Sequence, residues 1–265
     1  MHPTQEEKAA EFVALHEGEA FIIPNPWDIG SARVLESLGF KALATTSSGF
    51  AFTLGRPDGG AALDEVIEHV RLLARSTSVP LSVDLENGYG PQPEAAAAAI
   101  TRAGTAGAVG GSIEDYDPDN KIYSLDHAVE RVTAASEAAL RLDFKYMLTA
   151  RAENHIRGNP DLEDTIARLR AYEGAGADVL YAPGLRSGDE IRAVCEQISK
   201  PLNVLARPGL SMSEIVDAGG QRISVGGALT WVAVSALVNT AVEIRDAGDF
   251  SSLDVPVPTK GWLVD

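Results

Sequence analysis

A single cysteine in 265 residues leaves no partner for an intramolecular disulfide and no ligands for a cysteine zinc cluster. Cys195 itself reads as a small residue on a helix packed against its neighbours. Basic residues are scarce beside acidic ones, 22 against 38, which gives a formal net charge of −16. Such a surface repels phosphate backbones and anionic membranes, so neither nucleic acid nor a membrane is expected as a partner. An anionic substrate is still allowed, because local charge at a site can oppose the global sign. Long apolar runs are also missing. The longest, such as 231–238, are far too short to cross a bilayer. Residues 4–18 mix Glu, Lys and Ala and lack the basic start and apolar core of a signal peptide, so the cytoplasm is the default location. No HxH or HExxH pattern suggests zinc.

What remains is an ordinary globular composition, 45% apolar and 23% charged. One pattern recurs along it. A short apolar segment rich in β-branched residues ends in a polar or glycine-rich cluster, and a stretch of helical character follows. Eight such segments occur, at 20–27, 42–48, 81–87, 108–115, 146–153, 179–184, 202–208 and 222–229. Alternating strands and helices imply parallel strands with right-handed crossovers. Helix 28–38 carries Ile29, Ala32, Val34 and Leu35 on one face, and 64–75 places Val66, Ile67, Val70 and Leu73 at helical spacing. The expected fold is α/β: a (β/α)8 TIM-type barrel with an additional C-terminal helix and tail. Eight repeats favour closure over an open doubly wound sheet. No linker or composition break divides the chain, so residues 1–265 read as one domain. Residues 229–246 form a long apolar helix, and the tail from 251 on contains Pro256, Pro258 and Trp262. The whole stretch 229–265 suits an oligomer contact.

In a parallel barrel, catalytic groups sit at strand C-termini and in the loops that follow. Strand three ends Asp84-Leu85-Glu86-Asn87-Gly88-Tyr89-Gly90, strand four ends Ser112-Ile113-Glu114-Asp115, strand five ends in Arg151-Ala152-Glu153-Asn154-His155, and strand seven ends in Arg207. Period-two geometry turns Asp84 and Glu86 to one face, and Arg151 and Glu153 likewise. If that face is inward, Asp84, Glu86 and Glu114 converge, and three close carboxylates cannot all stay ionised without a cation. All-oxygen ligation suits Mg²⁺ or Mn²⁺. A salt-bridged rim is the plainer alternative. Arg151 offers a planar fork for a substrate carboxylate, or a partner for Glu153 or Glu86. Ser48-Gly49-Phe50 can turn successive amides inward as an anion nest, or form an ordinary tight turn. His155 lies near the rim or faces solvent; His2, His16, His69 and His127 are expected at the surface. Schiff-base chemistry is disfavoured, because Lys41, Lys145 and Lys200 sit at strand starts and only Lys121 could reach the site.

These runs, together with Ser48-Gly49 and Leu54-Gly55-Arg56-Pro57-Asp58, resemble the isocitrate lyase/phosphoenolpyruvate mutase superfamily over nearly the whole chain. Tyr181-Ala182-Pro183-Gly184-Leu185 and 201–206 further resemble its carboxyphosphonoenolpyruvate mutase-like branch. The resemblance implies a Mg²⁺-dependent barrel acting on 2-oxo acids through an enolate-like state. It implies Asp84 as the nearest metal carboxylate, Glu86 and Glu114 bound through waters, and Asp58 in the same acidic shell. It places a substrate carboxylate or phosphonate on Ser48, Gly49 and Phe50, with Arg151 clamping the other end. Thr46 stands where the family often has an aromatic, and Glu86 where it often has Asp. Mutase-type members use an Asn in the loop after strand four, for which Asn120 is the counterpart. The expected catalytic groups are therefore Asp58, Arg151 and Asn120, and the expected substrate contacts Thr46, Ser48, Gly49, Phe50, Arg151 and Arg207. The resemblance also implies a homo-oligomer, a dimer or a tetramer of dimers that exchange a C-terminal helix.

The leading expected activity is cleavage of a C–C bond next to a 2-oxo group of a small carboxylate. Chemistry at a C–P bond is the second, and a non-catalytic oxo-acid-binding barrel the third. Cleavage of isocitrate or 2-methylisocitrate is not expected, because the loop 116–124, read as a lid, lacks the cysteine that the lyases carry there.

Overall fold

The structure is a computed structural model that describes residues 3–117, 121–257 and 261–262. In chain order its elements are α1 (Gln5–Glu17), β1 (Phe21–Ile23), α2 (Ile29–Ser37), β2 (Leu43–Ala44), α3 (Ser47–Thr53), α4 (Leu63–Ser76), β3 (Leu81–Asp84), α5 (Pro93–Ala106), β4 (Gly110–Glu114), β5 (Tyr116–Asp117), β6 (Lys121–Ile122), α6 (Leu125–Leu140), β7 (Met147–Arg151), α7 (Leu162–Gly174), β8 (Val179–Tyr181), α8 (Gly188–Cys195), β9 (Leu202–Leu205), α9 (Met212–Asp217), β10 (Arg222–Ser224) and α10 (Ala228–Ala247). Eight strands form one parallel sheet in the order β1-β10-β9-β8-β7-β4-β3-β2. A backbone bond from Ala44 N to Pro24 O, 3.0 Å, bridges its two ends. All eight expected strands are present, so the barrel is the fold. Among the described residues, only β5 and β6 lie outside it, as a two-stranded antiparallel ribbon above the mouth.

The helices start where side chains can hold their free amides. Thr4 and Glu7 form a reciprocal cap on α1, Asp28 and Ser31 do so on α2, and Ser211 and Glu214 on α9. Proline opens α5, and Gly107 ends it in the left-handed region. Ala96, Ala99 and Ala103 of α5 are fully buried, and such small side chains let α5 pack closely on α6.

The N-terminal end of the barrel is plugged by α1. Ala9 and Phe12 join Phe21, Ile23, Ala42, Val109, Met147 and Val179 in one apolar cluster. Gly110 makes room for this plug, because a Cβ there would sit 2.7 Å from the Phe12 ring. The same packing corrects two surface expectations. His16 lies one turn after Phe12, on the face that enters the barrel, edge-on to Phe12 and Phe21. His69 shares the inward face of α4 with Val66, Val70 and Leu73 and stacks on Phe50 at 4.1 Å. Lys8 is also buried, its Nζ donating to the carbonyls of Ala74 and Thr77 at the end of α4. His127 is half-buried and His2 lies outside the described residues.

The helix α10 follows the opposite rule. Of its twenty residues only Thr230 is buried, while Val232 and Leu237 are 66% and 65% exposed. No helix among the described residues is long and apolar enough to cross a membrane.

The buried state of His16 has a measurable consequence. Its Nδ1 meets Phe12 O at 2.7 Å and its Nε2 faces Arg222 Nη1 at 3.3 Å, so Nε2 must accept and the ring must be neutral. Burial, reinforced by Arg222, pushes its pKa down to about 3. The unfolded chain takes up that proton near pH 6.5 and the folded protein does not, so the contribution is present above pH 6.5 and lost below it. By pH 5 the loss amounts to about 2 kcal/mol. In urea unfolding, His16→Gln should therefore gain about 2 kcal/mol relative to the wild type between pH 7 and pH 5. A constant difference between the two proteins would contradict a neutral His16.

Candidate active site

Strands β4 and β7 pair so that Glu114 lies opposite Arg151. Both side chains turn inward at the C-terminal mouth. Arg151 donates Nε to Glu153 and holds Glu114 at 3.4 Å through Nη1. Glu153 is fully buried and also accepts from Arg157 Nε at 2.9 Å. Its own amide is fixed by Asp115 Oδ1 at 2.8 Å, and Asp115 is pinned from below by Arg168 (3.0 Å) and the Tyr172 hydroxyl (2.5 Å). The guanidinium of Arg157 stacks 3.8 Å from the ring of Tyr116 in the ribbon. Burial works against the Arg151 charge, but Glu114 and Glu153 outweigh it and hold its pKa well above the usual value. Burial pushes the Glu114 carboxyl up, against the pull of Arg151 and with help from Glu153 and Asp84.

The end of β3 supplies the second half. Asp84 Oδ2 accepts from the Ser47 amide and Oδ1 from the Glu86 amide, each at 3.2 Å. The chain then turns sharply: Glu86 (φ 50°) and Tyr89 (φ 61°) both stand in the left-handed region. Strain of this kind costs roughly 1–3 kcal/mol per residue and persists only where the surroundings over-determine it. Here Arg131 does so, donating to the carbonyls of Asn87, Gly90 and Gln92. The Tyr89 hydroxyl in turn donates to Glu86 Oε1 at 3.1 Å. Burial, then the neighbouring Asp84 charge, pushes the Glu86 carboxyl up to about 7.

Two cavities meet at Arg151. An inner one of about 60 Å³ runs down the barrel axis past Thr46, Asp84, Tyr181, Asn203, Arg222 and Ser224. An outer one of about 330 Å³ is bounded by Ser47, Asp58, Glu86, Glu114, Tyr116 and Arg157. Arg151 lines both. Among the described residues, no three His, Cys, Asp or Glu side chains are arranged to hold a metal ion directly. The three carboxylates expected to converge do sense one another, since Asp84 raises both Glu86 and Glu114, but they are spread around the mouth.

The other expected site residues divide. Thr46 lines the inner cavity and caps α3, its hydroxyl 3.4 Å from the Gly49 amide and 3.2 Å from Ser48 Oγ. Asp58 is exposed on the loop over the outer cavity. The nest expected at Ser48-Gly49-Phe50 is not open: the Gly49 amide is taken by Thr46 Oγ1 and the Phe50 amide by Thr46 O, because the segment begins a helix. Gly49 itself is wedged against Trp27 and Thr230, where a Cβ would clash. Arg207 is exposed and lines neither cavity, having followed the chain out of the barrel after β9. Asn120 lies outside the described residues, as does the centre of the expected lid; Lys121, just beyond, is exposed. His155 is buried against Thr165 at 3.0 Å, not solvent-facing.

The site also contains groups that the strand-end rule passes over. Arg157 comes from a loop, and Asn203 and Arg222 come from within strands. Glu153 was legible as the residue two after Arg151. Nothing in sequence marks Arg222, which opens its strand at the end of the barrel remote from the mouth.

A family model for phosphoenolpyruvate phosphomutase matches residues 12–245. A crystal structure from Burkholderia cenocepacia J2315, provisionally assigned as a lyase/mutase, is 48% identical, with a TM-score of 0.93 over 97% of this chain and 94% of that one. The structure of oxaloacetate acetylhydrolase with its product oxalate is 28% identical, with a TM-score of 0.88 over 97% and 93% of the two chains. An oxaloacetate decarboxylase from Paraburkholderia xenovorans is 33% identical over 192 residues, 69% of this chain and 62% of that one.

Proposed function

Because the chain belongs to the phosphoenolpyruvate phosphomutase family, within the isocitrate lyase/phosphoenolpyruvate mutase superfamily, we propose that it is a Mg²⁺- or Mn²⁺-dependent enzyme that cleaves the C–C bond beside the 2-oxo group of a small carboxylate. One observation carries this reading: a half-buried, charged Arg151 at the neck between two cavities, lining the inner one together with Asp84. Its fork suits a carboxylate.

The donor set fits a hard divalent cation. It is all oxygen, and burial and mutual repulsion already push Glu86 and Glu114 up, a cost that a cation would remove. Asp84 would be the direct ligand, with Glu86, Glu114 and Asp58 reaching the ion through waters, which agrees with their spread around the mouth. When bound, the ion supplies Lewis-acid stabilisation of developing enolate charge. The chain does the rest. Arg151 orients the carboxylate, Tyr89 and Arg131 hold the Glu86 loop, and Tyr116 with Arg157 covers the outer cavity and limits water. Thr46 presents its hydroxyl side chain at the inner cavity, with Ser48 Oγ beside it at 3.2 Å.

The site does not suit isocitrate or 2-methylisocitrate. Cys195 lies on α8, against Gly219, with burial raising its thiol to about 11. It is neither near the mouth nor ready to act as an acid.

We further propose that α10 is covered by another copy of the chain. Trp231, Val232, Leu237 and Val238 expose an apolar surface that a lone molecule would leave in water. Gly227 and Thr230, at its start, press on Ser48 and Gly49, so assembly would brace the site's own helix.

With Mg²⁺, the purified protein should turn over oxaloacetate faster than phosphonopyruvate. It should release glyoxylate from isocitrate, or pyruvate from 2-methylisocitrate, at less than about one per second. Exhaustive EDTA treatment, or Asp84→Asn with an unchanged circular dichroism spectrum, should abolish turnover. Full activity after EDTA would contradict the metal, and preferred cleavage of phosphonopyruvate would contradict the C–C assignment. Light scattering at micromolar concentration should give a dimer or tetramer that Leu237→Glu dissociates; a monomeric mass for the wild type would contradict the assembly.

A further inference from the structure

Arg222 is anomalous. It is 5% exposed, inside the barrel, and among the described residues no carboxylate pairs with it. Its partners are neutral: Asn203 Oδ1 at 2.8 Å, Thr149 Oγ1 at 2.9 Å and His16 Nε2 at 3.3 Å. A buried guanidinium without a counter-ion is costly, and its retention calls for a negative charge that is not always there.

The hydrogen bonds show where such a charge would form. Arg222 donates to the Asn203 oxygen, which turns the Asn203 amide nitrogen toward Ser224, where it donates to Oγ at 3.0 Å. With that lone pair used, the Ser224 hydroxyl is left to turn its hydrogen toward the phenol oxygen of Tyr181, its neighbour in the lining of the inner cavity. The donors thus run in one direction, from Arg222 through Asn203 and Ser224 to the Tyr181 oxygen. Such a chain stabilises negative charge at its end. It also leaves the phenol's own hydrogen unused. Tyr181 lines the inner cavity beside Asp84, and the guanidinium of Arg151 lies over its ring at 5.2 Å. A buried hydroxyl therefore holds a free proton at the neck where the substrate's reacting carbon would stand.

We propose that Tyr181 is the acid that protonates the enolate carbon left by C–C cleavage, with Arg222 as the resident counter-charge for the transient phenolate. This rests on the C–C cleavage reading of the site. Scission leaves the bonding pair in the enolate. The enolate carbon then forms a C–H bond with the Tyr181 proton, and the O–H pair stays on the phenolate oxygen. A water entering the cavity returns the proton, and its hydroxide is neutralised in bulk solvent. Burial favours the phenol over the phenolate at rest, so the acid waits in its protonated form. It also replaces the thiol that the loop over the mouth lacks.

The test feeds the intermediate directly. Enolpyruvate, released from phosphoenolpyruvate by a phosphatase, is mixed with the full-length protein and Mg²⁺, and its conversion to pyruvate is followed by the loss of enol absorbance. The wild type should accelerate this conversion over a Mg²⁺ blank. Tyr181→Phe should reduce the acceleration by at least 100-fold, the lower end of what general acids contribute. Ser224→Ala, which removes only the hydroxyl's partner, should reduce it three- to tenfold. Both variants should bind oxalate with Mg²⁺ within threefold of the wild type by calorimetry, which shows that the pocket is intact. Conversion by Tyr181→Phe within threefold of the wild type would overturn the proposal. So would a wild type that binds oxalate and cleaves oxaloacetate but does not accelerate conversion. A wild type that neither binds oxalate nor cleaves oxaloacetate would overturn the reading of the site, and the acid with it.

Discussion

The guanidinium of Arg151 is the point on which the mouth of this barrel is organised. It ends β7, bridges Glu114 of the neighbouring strand and Glu153 of its own loop, and forms the wall shared by both cavities. A charge so deeply placed is tolerable only because two carboxylates share it, and the carboxylates are tolerable only because Arg151 and Arg157 stand between them. Asp115, Arg168 and Tyr172 then fix the backbone of Glu153 from outside the barrel. Removing any one of these would leave an uncompensated charge in the core, so the cluster holds its geometry as a unit.

The acidic groups are divided by that cluster into two roles. Glu153 and Asp115 are saturated by arginine and serve the scaffold. Asp84, Glu86 and Asp58 have fewer cationic contacts, and they surround the space that Arg151 opens. The loop carrying Glu86 and Tyr89 is bent into left-handed backbone and clamped by Arg131, a strain that makes sense only if the position of Glu86 matters. Deeper in the barrel the sign reverses, with Arg222 unpaired beneath Tyr181 and Ser224. The site therefore runs from an acidic outer rim, through Arg151, to a basic floor.

Much of this was legible in the chain. The eight strand–helix repeats carry the fold because parallel strands buried on both faces need continuous apolar runs, and these stand out. Asp84, Glu86, Glu114 and Arg151 were legible because barrel strands present catalytic groups at one end, and period two says which residues share a face. Less was legible where tertiary packing decides. Ser48-Gly49-Phe50 reads equally as a nest or a turn, and only the Thr46 cap turns its amides into a helix start. Arg207 ends a strand but leaves with the loop. His16 and His69 look like surface groups until α1 is seen to plug the barrel and α4 to lean on Phe50. Arg222 carries no signal at all, since strand starts usually serve stability.

The central claim is that Arg151 uses its planar fork, and not merely its charge, to hold a substrate carboxylate while remaining bound to Glu114 and Glu153. Titrating oxalate into the Mg²⁺-loaded wild type and Arg151→Lys by calorimetry tests it most directly. Lysine keeps the charge but loses the paired donors, so affinity should fall by about 1–3 kcal/mol, the scale of charge-assisted hydrogen bonds. An unchanged oxalate affinity in a folded Arg151→Lys protein would remove Arg151 from the substrate and contradict the account.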